Sequence, residues 1–237
     1  MTRTIPAMAK LLVATFFMMA TIVLGGGIAK ADDVTINGYT NGCFNCATPP
    51  NTSAVQPATS LGLQFTNSTF AGTTANGFRG LGGNATQPGV QSFNNLGSFT
   101  LSTVPNSYDG NTFALRVTFT APPGINGGNT STYTATVSGT VMSDNRGGVR
   151  LDFDNTPSLF TFSFPDGLGG TTSGQFFFSI NDLAIDPGQT ASLTGQFTGA
   201  QQSTVRAVPE PATLMLFGSG LLGVGAGMRW RYRRSKV

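Results

Sequence analysis

The stretch that decides the fold is NTFALRVTFT, residues 111–120, near the middle of the chain. Apolar side chains occupy Phe113, Leu115, Val117 and Phe119, and the residues between them are small, polar or charged. Alternation with a period of two is the pattern of a β-strand that buries one of its faces. The same alternation recurs at residues 61–65, 133–137, 149–153, 160–164 and 176–180.

Turn-forming dipeptides separate these segments, and no segment between the two chain ends shows the 3.6-residue period of a helix. The dipeptides include Asn37-Gly38, Asp109-Gly110, Pro123-Gly124 and Asp166-Gly167. Many short strands joined by frequent turns predict an all-β domain. We therefore expect an antiparallel β-sandwich with jelly-roll-like topology over residues 32–200, followed by a polar stalk at residues 201–208.

The composition excludes several kinds of chemistry. The chain of 237 residues contains no histidine, which removes Ser-His-Asp and Cys-His catalysis and every metal site that needs an imidazole. Between residues 32 and 207, five Arg minus nine Asp give a net charge of −4, so the overall charge of +3 comes from the two ends. The sequence therefore predicts no nucleic-acid partner, because a basic patch is missing from the central domain, and it predicts no cofactor.

The N-terminus has the layout of a secretory signal peptide. Arg3 and Lys10 flank the start of an apolar run at residues 11–28, and an A-x-A cleavage site follows at residues 29–31. We expect a signal peptide over residues 1–31 that is removed on export. The same run is long enough to span a membrane if it is not cleaved.

The C-terminus combines three parts in order. A Pro-Glu-Pro tripeptide at residues 209–211 precedes an apolar run at residues 212–228, and a basic tail follows. At 1.5 Å per residue, the 17 apolar residues span about 25 Å as a helix, which predicts a short transmembrane helix. The positive charges hold the tail in the cytoplasm by the positive-inside rule. The basic residues of the flank are Arg229, Arg231, Arg233 and Arg234, with Lys236 beyond them.

This tail, VPEPATLMLFGSGLLGVGAGMRWRYRR at residues 208–234, resembles the PEP-CTERM sorting signal of Gram-negative bacteria. The resemblance implies that Pro209, Glu210 and Pro211 are recognised by an integral-membrane exosortase, which cuts nearby, and that the helix is a temporary anchor. The two prolines hold the tripeptide extended, in a form that a membrane protease could reach. The alternative is a permanent single-span anchor with a proline-rich stalk.

The resemblance also implies a location. The protein would be anchored in the inner membrane with its N-terminus outside and its C-terminus inside, and after processing it would lie at the cell surface or outside the cell. Proteins with this signal often come from bacteria that make extracellular polysaccharide.

Cys43 and Cys46 form a C-F-N-C motif soon after the predicted cleavage site. Attachment of a c-type haem requires a histidine after the second cysteine, where Ala47 stands, and a structural zinc site requires four ligands of suitable type. In an oxidising compartment we predict a local disulfide. Intermolecular crosslinking and redox use stay open as alternatives.

Asp152 and Asp154 alternate with Leu151 and Phe153, so the two carboxylates share one face of a predicted strand. Both could reach one Ca²⁺ ion, although the spacing is not that of an EF-hand loop. The alternative is that they form the solvent-facing side of an amphipathic strand.

These observations favour a non-enzymatic exported protein with a structural or adhesive role in the envelope or extracellular matrix. Its expected partners are the exosortase, the membrane and extracellular polysaccharide. A lectin-like carbohydrate-binding module, assisted by Ca²⁺ at Asp152 and Asp154, is the alternative. A polysaccharide hydrolase that uses two carboxylates is a third hypothesis, since that chemistry needs no histidine.

Overall fold

The computed structural model describes residues 33–85, 87–206 and 216–222. This part of the chain consists mostly of β-strands, which confirms the all-β prediction. The strands are β1 Thr35–Phe44, β2 Ala58–Ser60, β3 Leu63–Thr66, β4 Ser68–Thr73, β5 Arg79–Leu81, β6 Ser92–Phe93, β7 Ser98–Leu101, β8 Asn106–Ser107, β9 Asn111–Ala121, β10 Thr130–Val141, β11 Gly147–Phe153, β12 Ser158–Pro165, β13 Thr171–Ile180, β14 Leu183–Ile185, β15 Thr190–Ser192 and β16 Gly195–Val205. A short helix covers residues 216–222.

Hydrogen bonding groups the described strands into three sheets. The large sheet has the order β14-β11-β10-β9-β1-β4-β6, and β8 pairs with the far end of β10. The second sheet has the order β12-β13-β16-β5, and the third has the order β15-β7-β3-β2. The short β4–β6 pair is parallel, whereas the pairs that involve the long strands are antiparallel.

Strand β9 lies inside the large sheet, between β1 and β10. Its alternating residues Phe113, Leu115, Val117 and Phe119 are all buried, as the sequence pattern predicts. The opposite face of the strand carries Arg116, which is only half-buried. The period-two pattern of residues 111–120 thus separates a core face from an outer face of the large sheet.

One end of the core face packs against the second sheet through phenylalanine rings. The ring of Phe119 contacts the rings of Phe176, Phe178 and Phe197, with centroid separations of 5.3, 6.0 and 6.3 Å. The rings meet edge-on, an arrangement that aromatic side chains prefer over face-to-face stacking. The contact joins β9 to β13 and β16.

The other end of the same face packs against the third sheet. The ring of Phe113 lies 4.9 Å from the ring centroids of both Phe65, on β3, and Phe99, on β7. Because Phe113 and Phe119 project from the same face of β9, both smaller sheets contact one side of the large sheet.

Two glycines in β1 make room for these rings. A Cβ atom at Gly38 would overlap the ring of Phe70, and one at Gly42 would overlap the rings of Phe113 and Phe65. Any larger residue at either position would push the rings out of the core, so the glycines are packing requirements of the large sheet.

The predicted polar stalk at residues 201–208 is wrong for residues 201–205, because β16 continues through them to Val205. This end of β16 pairs with β13 from Gln201↔Gln175 to Val205↔Thr171. The segment has no apolar alternation, but pairing needs only backbone groups and a partner strand. The β domain therefore extends beyond the predicted boundary at residue 200.

Two terminal predictions fall largely on residues that the structure does not describe. The signal peptide at residues 1–31 lies outside the described residues, and the predicted transmembrane helix at 212–228 is described only at residues 216–222. Among the described residues, no helix has the length and apolar character needed to cross a membrane.

Truncating the central ring should strongly destabilise the domain. We expect Phe119→Ala to lower the free energy of unfolding by about 3–5 kcal/mol, because loss of this large buried side chain leaves a cavity among five rings. Phe93→Ala is the matched control, since that ring is 57% exposed, and should change stability by less than about 0.5 kcal/mol. Urea unfolding followed by far-UV circular dichroism measures both, and equal losses in the two variants would contradict the packing described.

Candidate functional site

The chain leaves the β domain at the end of β16, next to the turn between β12 and β13. Arg206 follows the last residue of β16, and its Nε donates to Oδ2 of Asp166 at 2.8 Å. Asp166 lies in the turn that begins after Pro165 and ends before Thr171. This ion pair holds the exit of the chain against the hairpin turn.

Asp166 also organises the turn itself. Its Oδ1 accepts hydrogen bonds from the backbone N–H groups of Leu168 at 2.8 Å and Gly170 at 2.7 Å. A Cβ atom at Gly170 would lie 2.7 Å from Oδ2 of Asp166 and 2.8 Å from Cγ of Arg206, so the site accepts only glycine without rearrangement. The Asp166 side chain is 7% exposed, whereas that of Arg206 is 60% exposed.

These contacts favour the ionised form of Asp166. The hydrogen bond from Arg206, followed by those from the Leu168 and Gly170 N–H groups, lowers the pKa of this carboxyl below its ordinary value. Sequence inspection identifies residues 166–167 as a turn but gives no sign of the partner, because Arg206 lies 40 residues further along the chain.

The predicted sorting tripeptide begins close to this ion pair. Only Ala207 and Val208 separate Arg206 from Pro209. Three Cα–Cα steps cover at most about 11 Å, so the tripeptide cannot lie far from the end of the β domain. The residues Pro209, Glu210, Pro211, Arg229, Arg231, Arg233 and Arg234 themselves lie outside the described residues.

The described part of the following apolar run is helical and apolar on its surface. Within residues 216–222, the side chains of Leu216, Phe217, Leu221 and Leu222 are all exposed. A helix with this surface is suited to an apolar environment.

Cys43 and Cys46 are joined by a disulfide, with their Cα atoms 5.9 Å apart. Of the two residues between them, Asn45 has a positive φ of 51°, a left-handed conformation that asparagine adopts more readily than most residues. The Asn45 side chain accepts a hydrogen bond from the Thr112 N–H at 2.9 Å and donates to Asn111 at 2.8 Å. The bridge therefore closes a turn that is tied to the start of β9.

The two candidate Ca²⁺ ligands each have a partner within the protein. Asp152 lies 3.5 Å from the guanidinium of Arg150, and Asp154 accepts a hydrogen bond from the Thr156 N–H at 2.9 Å. The sequence pattern missed Asp182, which comes from the loop before β14 and lies 2.9 Å from Arg150. Within the described ranges, no cluster of three or more His, Cys, Asp or Glu residues could hold a metal ion.

Asp182 is a structural carboxylate. Partial burial raises its pKa, but the hydrogen bonds from the Phe153 N–H and from Arg150 outweigh this effect, and the net pKa lies below its ordinary value. The Phe153 N–H donates to it at 3.0 Å, so Asp182 fastens the end of β11.

Asp166→Asn should make the domain less sensitive to acid. Since the folded-state pKa of Asp166 lies below the unfolded value of about 3.9, its stabilisation is complete above the unfolded pKa and is lost as the pH falls through the folded pKa. The urea midpoint of the wild-type protein should therefore fall more steeply than that of the variant below about pH 4. Arg206→Gln should reduce the same slope, and identical pH profiles for all three proteins would contradict this role.

The disulfide predicts a simple labelling result. A thiol-alkylating reagent added to the exported, unreduced protein should leave Cys43 and Cys46 unmodified, and two labels should appear after reduction. Intact-mass spectrometry measures the number of labels. Full labelling before reduction would exclude the bridge, and a mass of two linked chains would indicate an intermolecular crosslink.

Comparison with known proteins identifies the C-terminal segment. Residues 207–234 match the family model of the PEP-CTERM protein-sorting motif, which begins immediately after Arg206. No curated protein and no solved structure matches the chain. The chain therefore carries a PEP-CTERM sorting motif, which supports an exported surface protein that is processed by an exosortase.

Proposed function

We propose that the β domain acts outside the cell without catalysis, in a structural or adhesive role in the envelope or extracellular matrix. The sorting motif at residues 207–234 is the observation that carries this proposal. The segment at residues 1–31 would direct export, and the run at 212–228 would anchor the chain N-out and C-in. Exosortase would then cut near Pro209–Pro211 and move the β domain to the cell surface.

The architecture proposed for this domain is a β-sandwich. The contacts of Phe119 with the second sheet and of Phe113 with the third support it, because both sheets cover one face of the large sheet. Such a domain presents a broad, polar outer face to its surroundings.

The engagement of the carboxylates supports a non-catalytic role. Among the described aspartates, most side chains accept hydrogen bonds that fasten turns and strand ends, as Asp166 and Asp182 do. The pKa values of Asp166 and Asp182 lie below the ordinary value, whereas a general acid needs a raised pKa. The aspartates whose side chains accept at least one hydrogen bond are Asp33, Asp109, Asp144, Asp152, Asp154, Asp166 and Asp182.

Replacing the glutamate of the tripeptide tests the sorting step. We expect Glu210→Ala to leave the full-length protein in the inner-membrane fraction, because the tripeptide that exosortase recognises would no longer carry a carboxylate. Wild-type protein should instead appear at the surface or in the medium without its C-terminal segment. Cell fractionation with intact-mass analysis measures both the location and the new C-terminus.

Asp144→Ala is the matched control for this experiment. It also removes a carboxylate, but from the exposed turn between β10 and β11, where Asp144 pairs with Arg146 at 2.6 Å. It should be processed like the wild type. Normal processing and release of Glu210→Ala would contradict the proposal.

A further inference from the structure

We propose that the outer face of the large sheet binds the carboxylate groups of an acidic polysaccharide, at a site built on Arg116 and Asn41. This inference rests on the proposed extracellular role of the β domain. It assigns the binding activity to residues outside the Asp152 and Asp154 pair.

Strand register brings the two residues of the site together. Arg116 on β9 lies directly opposite Asn41 on β1 and opposite Thr132 on β10. Directly opposed side chains on one face of a sheet have Cβ atoms about 4.5–5.5 Å apart. Leu115 and Val117, the sequence neighbours of Arg116, point into the core, so Arg116 and its two partners belong to the outer face.

Both residues have hydrogen-bond donors that no described residue uses. Asn41 is 1% exposed, and although its Oδ1 accepts from the Thr52 N–H at 3.2 Å, its buried Nδ2 donates to no described residue. The buried Nε of Arg116 likewise has no acceptor within the described residues. Leaving a buried donor unmatched costs about 1–3 kcal/mol, so an incoming acceptor would be favoured at this position.

The charge of Arg116 is also uncompensated within the described part of the chain. Three other arginines pair with aspartates at 2.6–2.9 Å, namely Arg146, Arg150 and Arg206. Arg116 has no such ion pair with a described residue, and its register partners Asn41 and Thr132 carry no charge. A guanidinium beside a second donor matches the two oxygens of a carboxylate.

On one side of Arg116, the hydroxyl groups of Tyr39 and Thr118 already donate hydrogen bonds to a neighbouring loop. The side-chain oxygen of Asn51 accepts hydrogen bonds from the hydroxyls of Tyr39 at 3.0 Å and Thr118 at 3.2 Å. This loop therefore lies over β1 and β9 beside Arg116 and forms a wall of the site. The Nδ2 of Asn41 and the Nε of Arg116 keep no acceptor among the described residues, because the side-chain oxygen of Asn51 is bonded to these other groups.

The opposite side of the site is a row of exposed hydroxyls. Alternate residues of β10 point outward, about 6.8 Å apart along the strand, and they are Thr132, Thr134, Thr136, Ser138 and Thr140. Within the described chain, none of the exposed large apolar side chains lies on β9 or β10. A protein partner would need an apolar centre for its interface, whereas a sugar chain can exchange hydrogen bonds with hydroxyl groups. We therefore assign the ligand as a polysaccharide and its anchoring group as a carboxylate.

Polygalacturonate and its methyl ester test this assignment, because they share a backbone and differ in charge. Full-length protein in detergent should bind oligomers of the free acid, measured by isothermal titration calorimetry, and the methyl ester should bind at least about tenfold more weakly. Arg116→Gln should lose a similar factor for the acid, and Arg116→Lys should fall between the two. Arg146→Gln, which removes an exposed arginine from the turn between β10 and β11, should bind like the wild type.

Several results would overturn the inference. These are no binding of the acid, equal binding of the methyl ester, an equal loss in Arg146→Gln, or unchanged affinity in Arg116→Gln. Equal binding of poly-glutamate would show that the site selects acidic polypeptides instead. Thermal unfolding verifies that each variant is folded. If Arg116→Gln does not fold, the inference is tested by the affinity of Arg116→Lys for the acid and by the comparison of the acid with its methyl ester. The Glu210→Ala experiment measures sorting and not polysaccharide binding, so a negative binding result would not contradict the sorting proposal.

Discussion

The contact of Phe119 with the rings of β13 and β16 is the interaction on which the rest of the structure depends. A long antiparallel sheet needs cover for one apolar face, and the phenylalanines of the second sheet supply that cover at this end. The same rings fix β16 in place, because Phe197 packs against Phe119 while its backbone pairs with β13. The position at which the chain leaves the domain is therefore set by the core.

The outer face of the large sheet follows from the same alternation. Each residue that points into the core leaves its neighbours pointing out, so β10 buries Val137 and presents Thr136 and Ser138. Threonine suits strands because its β-branched side chain packs well on a pleated surface. Hydroxyl groups also keep this face hydrated with few charges, which explains how a domain without lysine or glutamate is built. On this face Arg116 has no ion pair with any residue that the structure describes.

The sequence predicts features whose signal is local and misses those that depend on distant partners. The alternation at residues 111–120 identifies β9 because burial of one face acts on every second side chain. Residues 201–205 carry no such signal, because their strand is held by backbone pairing with β13. The sequence pattern likewise does not predict the ion pairs Asp166–Arg206 and Asp182–Arg150, because their partners lie far apart along the chain. The sorting motif lies within one continuous segment, and a local pattern was sufficient to identify it.

The junction after β16 connects the fold to the sorting motif. Val205 is still paired with Thr171, and Arg206 is held by Asp166, so the contacts of the β domain reach the residue immediately before the motif. A membrane enzyme acting near Pro209 must therefore work close to a folded domain, because at most about 11 Å of chain lies between Arg206 and that residue. An ion pair with one exposed partner is only modestly stabilising, and the final residues of a strand fray most easily. Together the ion pair and the pairing with β13 hold the end of the domain in place immediately before the motif, while the aromatic core fixes the rest of β16.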